Sequence, residues 1–169
     1  MQLRPVSEAE FDAAFDLIEQ SFPACERRER TAARALLQNP LYTLYHIEQD
    51  GKRVGLFGIW ALRGFTFVEH FAILPAMRNT GLGAKALALL AEEHPLIVLE
   101  AEPPESEMAV RRLGFYARAG LLPNDLAYLQ PAYRQGEAPV PLLLLSRPAP
   151  LPDPAAVAAE IHRAVYGAS

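Results

Sequence analysis

Apolar and polar positions change period several times along the chain, and each change marks an element. QLRPV (2–6) is a short first strand. Ser7-Glu8-Ala9-Glu10 then has the form of a capping box, with the Ser7 hydroxyl accepting from an early helix N–H while Glu10 reaches back. Phe11, Phe15, Ile18 and Phe22 recur at spacings of four, three and four, which draws one apolar helix stripe, stopped by Pro23. Residues 26–40 read as a second, short helix ended by Asn39-Pro40. LYTLYHIE (41–48), RVGLFGIWAL (53–62) and FTFVEHFAIL (65–74), separated by turn signals at Asp50-Gly51 and Gly64, predict three antiparallel strands. The pattern then switches. Residues 82–94 form a helix with apolar residues on most sides. LIVLEAE (96–102) is a continuous apolar strand of a sheet interior. Residues 107–120 form a helix stopped by Gly120. Segments 126–134 and 140–147 pair as a closing hairpin. A proline-rich link (148–154) leads to a final helix (155–167), with Val157, Ile161 and Val165 on one face. A meander followed by βαβ units predicts an α/β (α+β) fold, a mixed sheet with helices on both faces.

Composition narrows the class. A chain of 169 residues forms one domain with a sizeable core. Its 51% hydrophobic and 21% charged residues are those of an ordinary soluble globular protein. The net charge of −4 gives no overall basic field for nucleic acid. Cys25 is the single cysteine, which excludes an intrachain disulfide and a multi-cysteine metal site. His46, His70, His94 and His162 show no H-x-x-x-H spacing, so no metal is expected. The polar N-terminus is no signal peptide, and PLLLL (141–145) is too short to span a bilayer. A cytoplasmic protein without a membrane partner is the expectation.

The candidate chemistry sits in AILPAMRNTGLGAKA (72–86). GLGAKA (81–86) fits the dinucleotide fingerprint G-x-G-x-x-[GA], and RNTGLG (78–83) fits R-x-x-G-x-G. In the dinucleotide motif the strand runs directly into the first glycine. Here it ends at Leu74-Pro75, and AMRNT (76–80) intervenes. Some 70 residues of other structure come first, and too little chain follows for a doubly wound sheet. GLGAK also lacks the P-loop spacing. The longer loop lets N–H groups from about Asn79 to Ala84 converge on a pyrophosphate at a helix start, with the Arg78 guanidinium beside it. Gly81 and Gly83, without Cβ atoms, let phosphate oxygens approach and allow unusual φ values.

AILPAMRNTGLGAKAL resembles the acetyl-CoA signature of the GNAT acetyltransferase superfamily, strand–x-P-x-x-R-x-x-G-x-G/A–helix. GFYARAGL (114–121) resembles its later segment, a helix ending in F-Y-x-x-x-G-[FL]. The element order agrees with the family from residue 2 to about 147, which assigns 1–147 to such a domain and 148–169 to a link and C-terminal helix of the same domain.

The resemblance implies an N-acetyltransferase that passes acetyl from acetyl-CoA directly to a primary amine; the alternative is a non-catalytic acyl-CoA-binding module. It implies that strand 65–74 splays from strand 96–102 and that Phe71 and Ile73 offer backbone groups to the pantetheine arm. Arg78, Asn79, Thr80, Gly81, Leu82, Gly83 and Ala84 would hold the pyrophosphate. Glu69 is the first candidate for the base, since strand alternation puts it on one face with Phe71 and Ile73 and turns His70, the second candidate, to the other. Tyr116 matches the general acid for the departing thiolate; a phenol's ordinary pKa, near 10, is close to a thiol's. Two positions depart from the family pattern, Ala109 where many members carry Asn and Arg112 where they carry Ala. Glu100 and Glu102 share a strand face, with Glu105 and Glu107 following, and could hold a cationic acceptor or simply be solvated acids at a helix start. Arg111 and Arg112 are expected on an exposed helix face. Cys25 lies where the acceptor cleft would begin, with no paired base in sight. The C-terminal helix packs on its own sheet or, in a homodimer, on a partner chain.

Overall fold

The computed structural model describes residues 1–168. Eight strands form one sheet in the order β1-β2-β3-β4-β5-β8-β6, with β7 also on β8. The strands are β1 (Gln2–Pro5), β2 (Tyr42–Gln49), β3 (Lys52–Leu62), β4 (Phe65–Ile73), β5 (Ile97–Ala101), β6 (Leu122–Pro123), β7 (Tyr128–Gln130) and β8 (Val140–Arg147). The helices are α1 (Phe11–Ser21), α2 (Arg30–Ala35), α3 (Leu82–Glu93), α4 (Glu107–Arg118) and α5 (Pro154–Ile161), and a π-helical turn, His162–Tyr166, follows α5. β4 and β5 run parallel; β1-β2, β2-β3, β3-β4, β5-β8, β6-β8 and β7-β8 are antiparallel.

Each face of the sheet carries its own core. On one side Phe11, Phe15 and Ile18 of α1 pack with Trp60, Phe67, Leu144 and, from the C-terminal segment, Ala158, Ile161 and Val165. On the other, Leu87 and Leu90 of α3 and Tyr116 of α4 pack with Phe57, Ile59, Val68, Ile97 and Leu99. The α1 stripe read from the sequence is therefore buried on the first face, and the C-terminal helix packs on its own sheet.

Three elements differ from expectation. The helix predicted over 26–40 is broken into a 3-10 turn (Ala24–Glu26), α2 and a second 3-10 turn (Leu36–Gln38). Arg27 is extended between the first two, which turns the chain so that Arg28 enters the interior. The closing hairpin forms, in register Tyr128↔Leu142 to Gln130↔Val140, but β7 is only three residues long. At the capping box, Ser7 donates both its N–H (3.2 Å) and its hydroxyl (2.8 Å) to the Glu10 carboxylate. The hydroxyl is a donor there, since Glu10 is also ion-paired with Arg4 at 2.9 Å and stays ionised.

Candidate active site at the fork of the sheet

β4 and β5 pair over only three residues each, from Thr66↔Ile97 to Val68↔Leu99. Beyond that point they diverge, and Glu69 on β4 and Glu100 on β5 are the first residues past the last pair. Leu74 N–H donates to Val54 O on β3 at 2.9 Å. Peptide groups alternate along a strand, so those of Phe71 and Ile73 face the gap that β5 has left. The strand edge expected to carry a cofactor is thus open at the residues named for it.

β4 leads through a 3-10 turn, Pro75–Met77, into the glycine loop. Asn79 (φ 62) and Gly81 (φ 82) are both left-handed, which makes the chain turn sharply onto α3. The first intrahelical bond runs from Lys85 N–H to Gly81 O, at 3.2 Å. The N–H groups of Leu82, Gly83 and Ala84 at the helix start therefore have no partner in the helix ladder, as an anion site needs. Thr80 Oγ donates to Met77 O at 2.6 Å and stiffens the loop. Gly81 is required by its φ, with open space where a Cβ would stand. At Gly83 a packing constraint is present as well: its Cβ would lie 3.3 Å from Phe115 Cζ and 3.6 Å from Phe71 Cζ. Its bare backbone seats α3 on an aromatic stack, in which Phe71 lies 4.5 Å from Phe57 and 6.3 Å from Phe115. Arg78 folds back from the loop. Its Nε donates to Ile73 O at 3.0 Å and its Nη2 to Ser21 Oγ at 3.3 Å, so it holds one of the carbonyls assigned to pantetheine.

The expectation that Glu69 shares a face with Phe71 and Ile73, opposite His70, is overturned. A β-bulge falls where Gly58↔His70 gives way to Ile59↔Val68, and Glu69 is the extra residue. A bulge lets two successive side chains leave the same face. Glu69 and His70 both point to the α1 side, while Phe71 and Ile73 pack on the α3 side. His70 is buried, edge-on to Phe22 with centroids 4.7 Å apart, and its Nε2 lies 3.2 Å from Glu26 O. Burial holds its pKa below the usual imidazole value.

The Glu69 side chain is only 1% exposed. Trp60 Nε1 donates to it at 2.8 Å and the Tyr133 hydroxyl at 2.9 Å, and Arg28 Nε lies 3.2 Å from Oε1. The Arg28 guanidinium sits 5.0 Å from the Tyr133 ring centroid and 5.8 Å from that of Trp60, within cation–π range. Arg28 also donates to Val165 O of the C-terminal turn. Across the fork, Glu100 accepts from the hydroxyls of Tyr128 and Tyr166, the latter at 2.7 Å. The Tyr133 and Tyr166 oxygens are 3.5 Å apart, which joins the two carboxylates into one network. Burial pushes the Glu100 carboxyl up to about 7, against the two hydroxyls that favour its ionised form; the Glu69 and Glu26 charges push it further up.

The other residues singled out from the sequence are dispersed. Glu102 is ion-paired at 3.0 Å to Arg112, which is half-exposed, Arg111 is exposed, and Glu105 and Glu107 are exposed. The acidic cluster is thus divided between an internal network and the surface. Ala109 is buried and donates its N–H to Ser106 Oγ at 3.1 Å, which leaves no polar side chain where many relatives have Asn. Tyr116 is buried on the α3–α4 side, and burial pushes its phenol up to about 12, further from a thiol than expected. Cys25 is exposed, and its carbonyl accepts from Gln130 Nε2 at 3.2 Å. Arg28, Trp60, Tyr128, Tyr133 and Tyr166 were not singled out from the sequence. They come from five segments, and no local spacing links them. Among the described residues no cluster of His, Cys, Asp and Glu is arranged to hold a metal ion.

Known proteins agree with this architecture. The Acetyltransferase (GNAT) family model matches residues 11–120. A GNAT-family protein from Bacteroides thetaiotaomicron is 31% identical over all of both chains, with a TM-score of 0.94. The ribosomal-protein-S18-alanine N-acetyltransferase of Escherichia coli (17% identity, 89% of this chain and 94% of that one, TM-score 0.63) shares the fold. So does a GNAT acetyltransferase from Elizabethkingia anophelis with acetyl-CoA bound (16% identity, 86% of this chain and 95% of that one, TM-score 0.58). No curated protein shows significant sequence similarity to the chain. The forked sheet, the glycine loop that β4 feeds and the family match over most of the chain place this protein in the GNAT acetyltransferase family.

Proposed function

We propose that the protein transfers an acetyl group from acetyl-CoA directly to a primary amine. The observation that carries this reading is the open edge of β4, which leads through a 3-10 turn into the left-handed loop and the N–H groups left without a helix partner at the start of α3. An extended thioester arm fits such an edge as an added strand. Phe71 and Ile73 would bind its amides, with Arg78 releasing Ile73 O or holding it from the side. The N–H groups of residues 79–84 would take the pyrophosphate.

Such an arm runs toward the fork, where the carboxylates lie. An ammonium must first lose a proton, and Glu69 and Glu100 are the acidic groups beside that point. The free amine then attacks the thioester carbonyl. A C–N bond forms, the C–S bond breaks, and the surplus proton on the attacking nitrogen passes to the departing thiolate, leaving the amide and the free CoA thiol. A backbone N–H at the open edge of β4 would stabilise the oxyanion, and Tyr116 would donate to the departing sulfur. With its phenol raised to about 12, Tyr116 acts chiefly as a hydrogen-bond donor.

Calorimetry with acetyl-CoA and desulfo-CoA, followed by thiol release across a library of amines, tests the reading. Binding with thiol release supports it, and no binding to either ligand overturns it. A second reading, an acyl-CoA-binding module without turnover, is favoured by one observation: Tyr133, Tyr166 and Arg28 fill the α1 side of the fork. Binding without thiol release from any amine would select it.

A further inference from the structure

Two carboxylates face each other across the fork, and their surroundings differ in kind. Glu69 has a cation, an indole N–H and a hydroxyl on its two oxygens, and it is sealed from solvent. Protonating it would break a buried ion pair and strand Arg28. Glu100 accepts from one neutral hydroxyl on each oxygen and has no ion pair among the described residues, so it can gain and lose a proton without stranding a cation. We propose that Glu100 takes the proton from the acceptor's ammonium, and that Tyr166, carried on the C-terminal turn, positions it to do so. This rests on the acetyl-transfer reading above and extends the site beyond residues 11–120, the part that matches the family model.

A count of protons supports the assignment. With Glu100 ionised, Tyr166 donates to Glu100 and Tyr133 donates to Glu69. Each hydroxyl has one proton, so none is left for the 3.5 Å contact between the two tyrosine oxygens. When Glu100 gains a proton on Oε2, its own O–H can donate to Tyr166. Tyr166 then turns its proton toward Tyr133, which still donates to Glu69. The result is an unbroken run of three O–H donors ending on the fixed anion that Arg28 holds. In both protonation states every hydroxyl and carboxyl proton of the run therefore has an acceptor. In the step itself, the ammonium becomes an amine and the Glu100 carboxylate becomes a carboxylic acid. Glu69 and both tyrosines end as they began, and Glu100 returns the proton to water after product leaves.

The charged and titratable groups around Glu100 come from every side of the fork. They are Glu69 on β4, Glu26 on the 3-10 turn, Tyr128 on β7, Tyr133 in the following loop and Tyr166, with Arg28 bound to Glu69. The first two oppose ionisation, and the hydroxyls of Tyr128 and Tyr166 favour it.

The pH dependence of kcat/KM, with an amine found by thiol release, tests the proposal. Activity should rise with pH through an ionisation near neutrality. Glu100→Gln should lose at least about 100-fold in kcat, the usual share of a general base. Tyr166→Phe removes one donor that favours the carboxylate, so the acid limb should move to higher pH. A purely structural Tyr166 would lower stability and leave the limb in place. Infrared titration of the free protein gives an independent readout. A carboxylic-acid band should appear as pH falls through neutrality and be missing in Glu100→Gln. Near wild-type turnover in Glu100→Gln, an unmoved limb in Tyr166→Phe, or a band that survives Glu100→Gln overturns the proposal. If the band behaves as expected but no amine releases thiol, it is the acetyl-transfer reading that fails, and with it the use of Glu100 in transfer.

Discussion

The two sides of β4 are built by different means. On the α3–α4 side, the machinery is main chain: peptide groups of Phe71 and Ile73 turned from β3, with the Ile73 carbonyl held by Arg78, two left-handed residues at 79 and 81, and the first N–H groups of a helix. Side chains there serve mostly to pack, as in the stack of Phe57, Phe71 and Phe115. On the α1–α5 side, the machinery is side chain: one buried guanidinium, two carboxylates, an indole and three tyrosines. The main-chain site is contained in one stretch of about fifteen residues. The side-chain site draws on residues from 28 to 166. A cosubstrate that presents the same phosphates and amides can be met by a local, reusable loop. An acceptor must be met by groups gathered for it, and these carry a greater cost in burial and charge.

That contrast can be broken at several points. The largest effect is expected on the side-chain site. Glu69→Ala leaves Arg28, itself 17% exposed, as an uncompensated buried cation, and should destabilise the fold by about 3–5 kcal/mol in urea unfolding. A loss below about 1 kcal/mol would mean that the pair behaves like a surface one. Next is Tyr116→Phe, which should cut kcat by about 100-fold without changing the unfolding midpoint. Unchanged turnover would remove Tyr116 from the chemistry. On the main-chain site, side-chain loss should matter less. Arg78→Ala should weaken acetyl-CoA binding about tenfold, or about 1.4 kcal/mol, by calorimetry. An unaltered Kd would assign the anion site wholly to backbone N–H groups.

The last effect is on stability as a function of pH. The folded protein holds a proton on Glu100 up to about 7, whereas the unfolded chain releases it near 4.5. The folded state therefore binds more protons in that window, and this group's contribution to stability falls as pH rises through it. Buried His46 and His70 and half-buried His162 are lowered, and act in the opposite sense. The quantity to measure is the difference between wild type and Glu100→Gln, which should change between about pH 4.5 and 7 and be flat above. A flat difference throughout would show that Glu100 is solvated.

How much of this was legible follows the same division. The stripe of α1, the helix α3, the β2–β4 meander and the loop from Pro75 to Gly83 could be read directly, because periodicity and glycine placement are local. The bulge at Glu69 could not. Nothing in FTFVEHFAIL marks an extra residue, since bulging depends on how β3 pairs with it. Simple alternation therefore assigned Glu69 to the wrong face. The close approach of Gly83 to Phe115, 32 positions away, could not be read either. The break in the helix predicted over 26–40 was also hidden, for helix propensity does not register the pull of a buried carboxylate on Arg28.

By itself, the sequence determined the order of elements, the apolar faces of the helices and a glycine loop with an arginine at its entrance. These rest on interactions between residues a few positions apart, which spacing records. The tertiary structure alone decided which side chains meet at the fork: Arg28 with Glu69, Tyr166 with Glu100, and the bulge that turns Glu69 toward them. Those contacts join residues 41 and 66 positions apart, and their energies depend on burial and distance, which exist only once the sheet has closed around them.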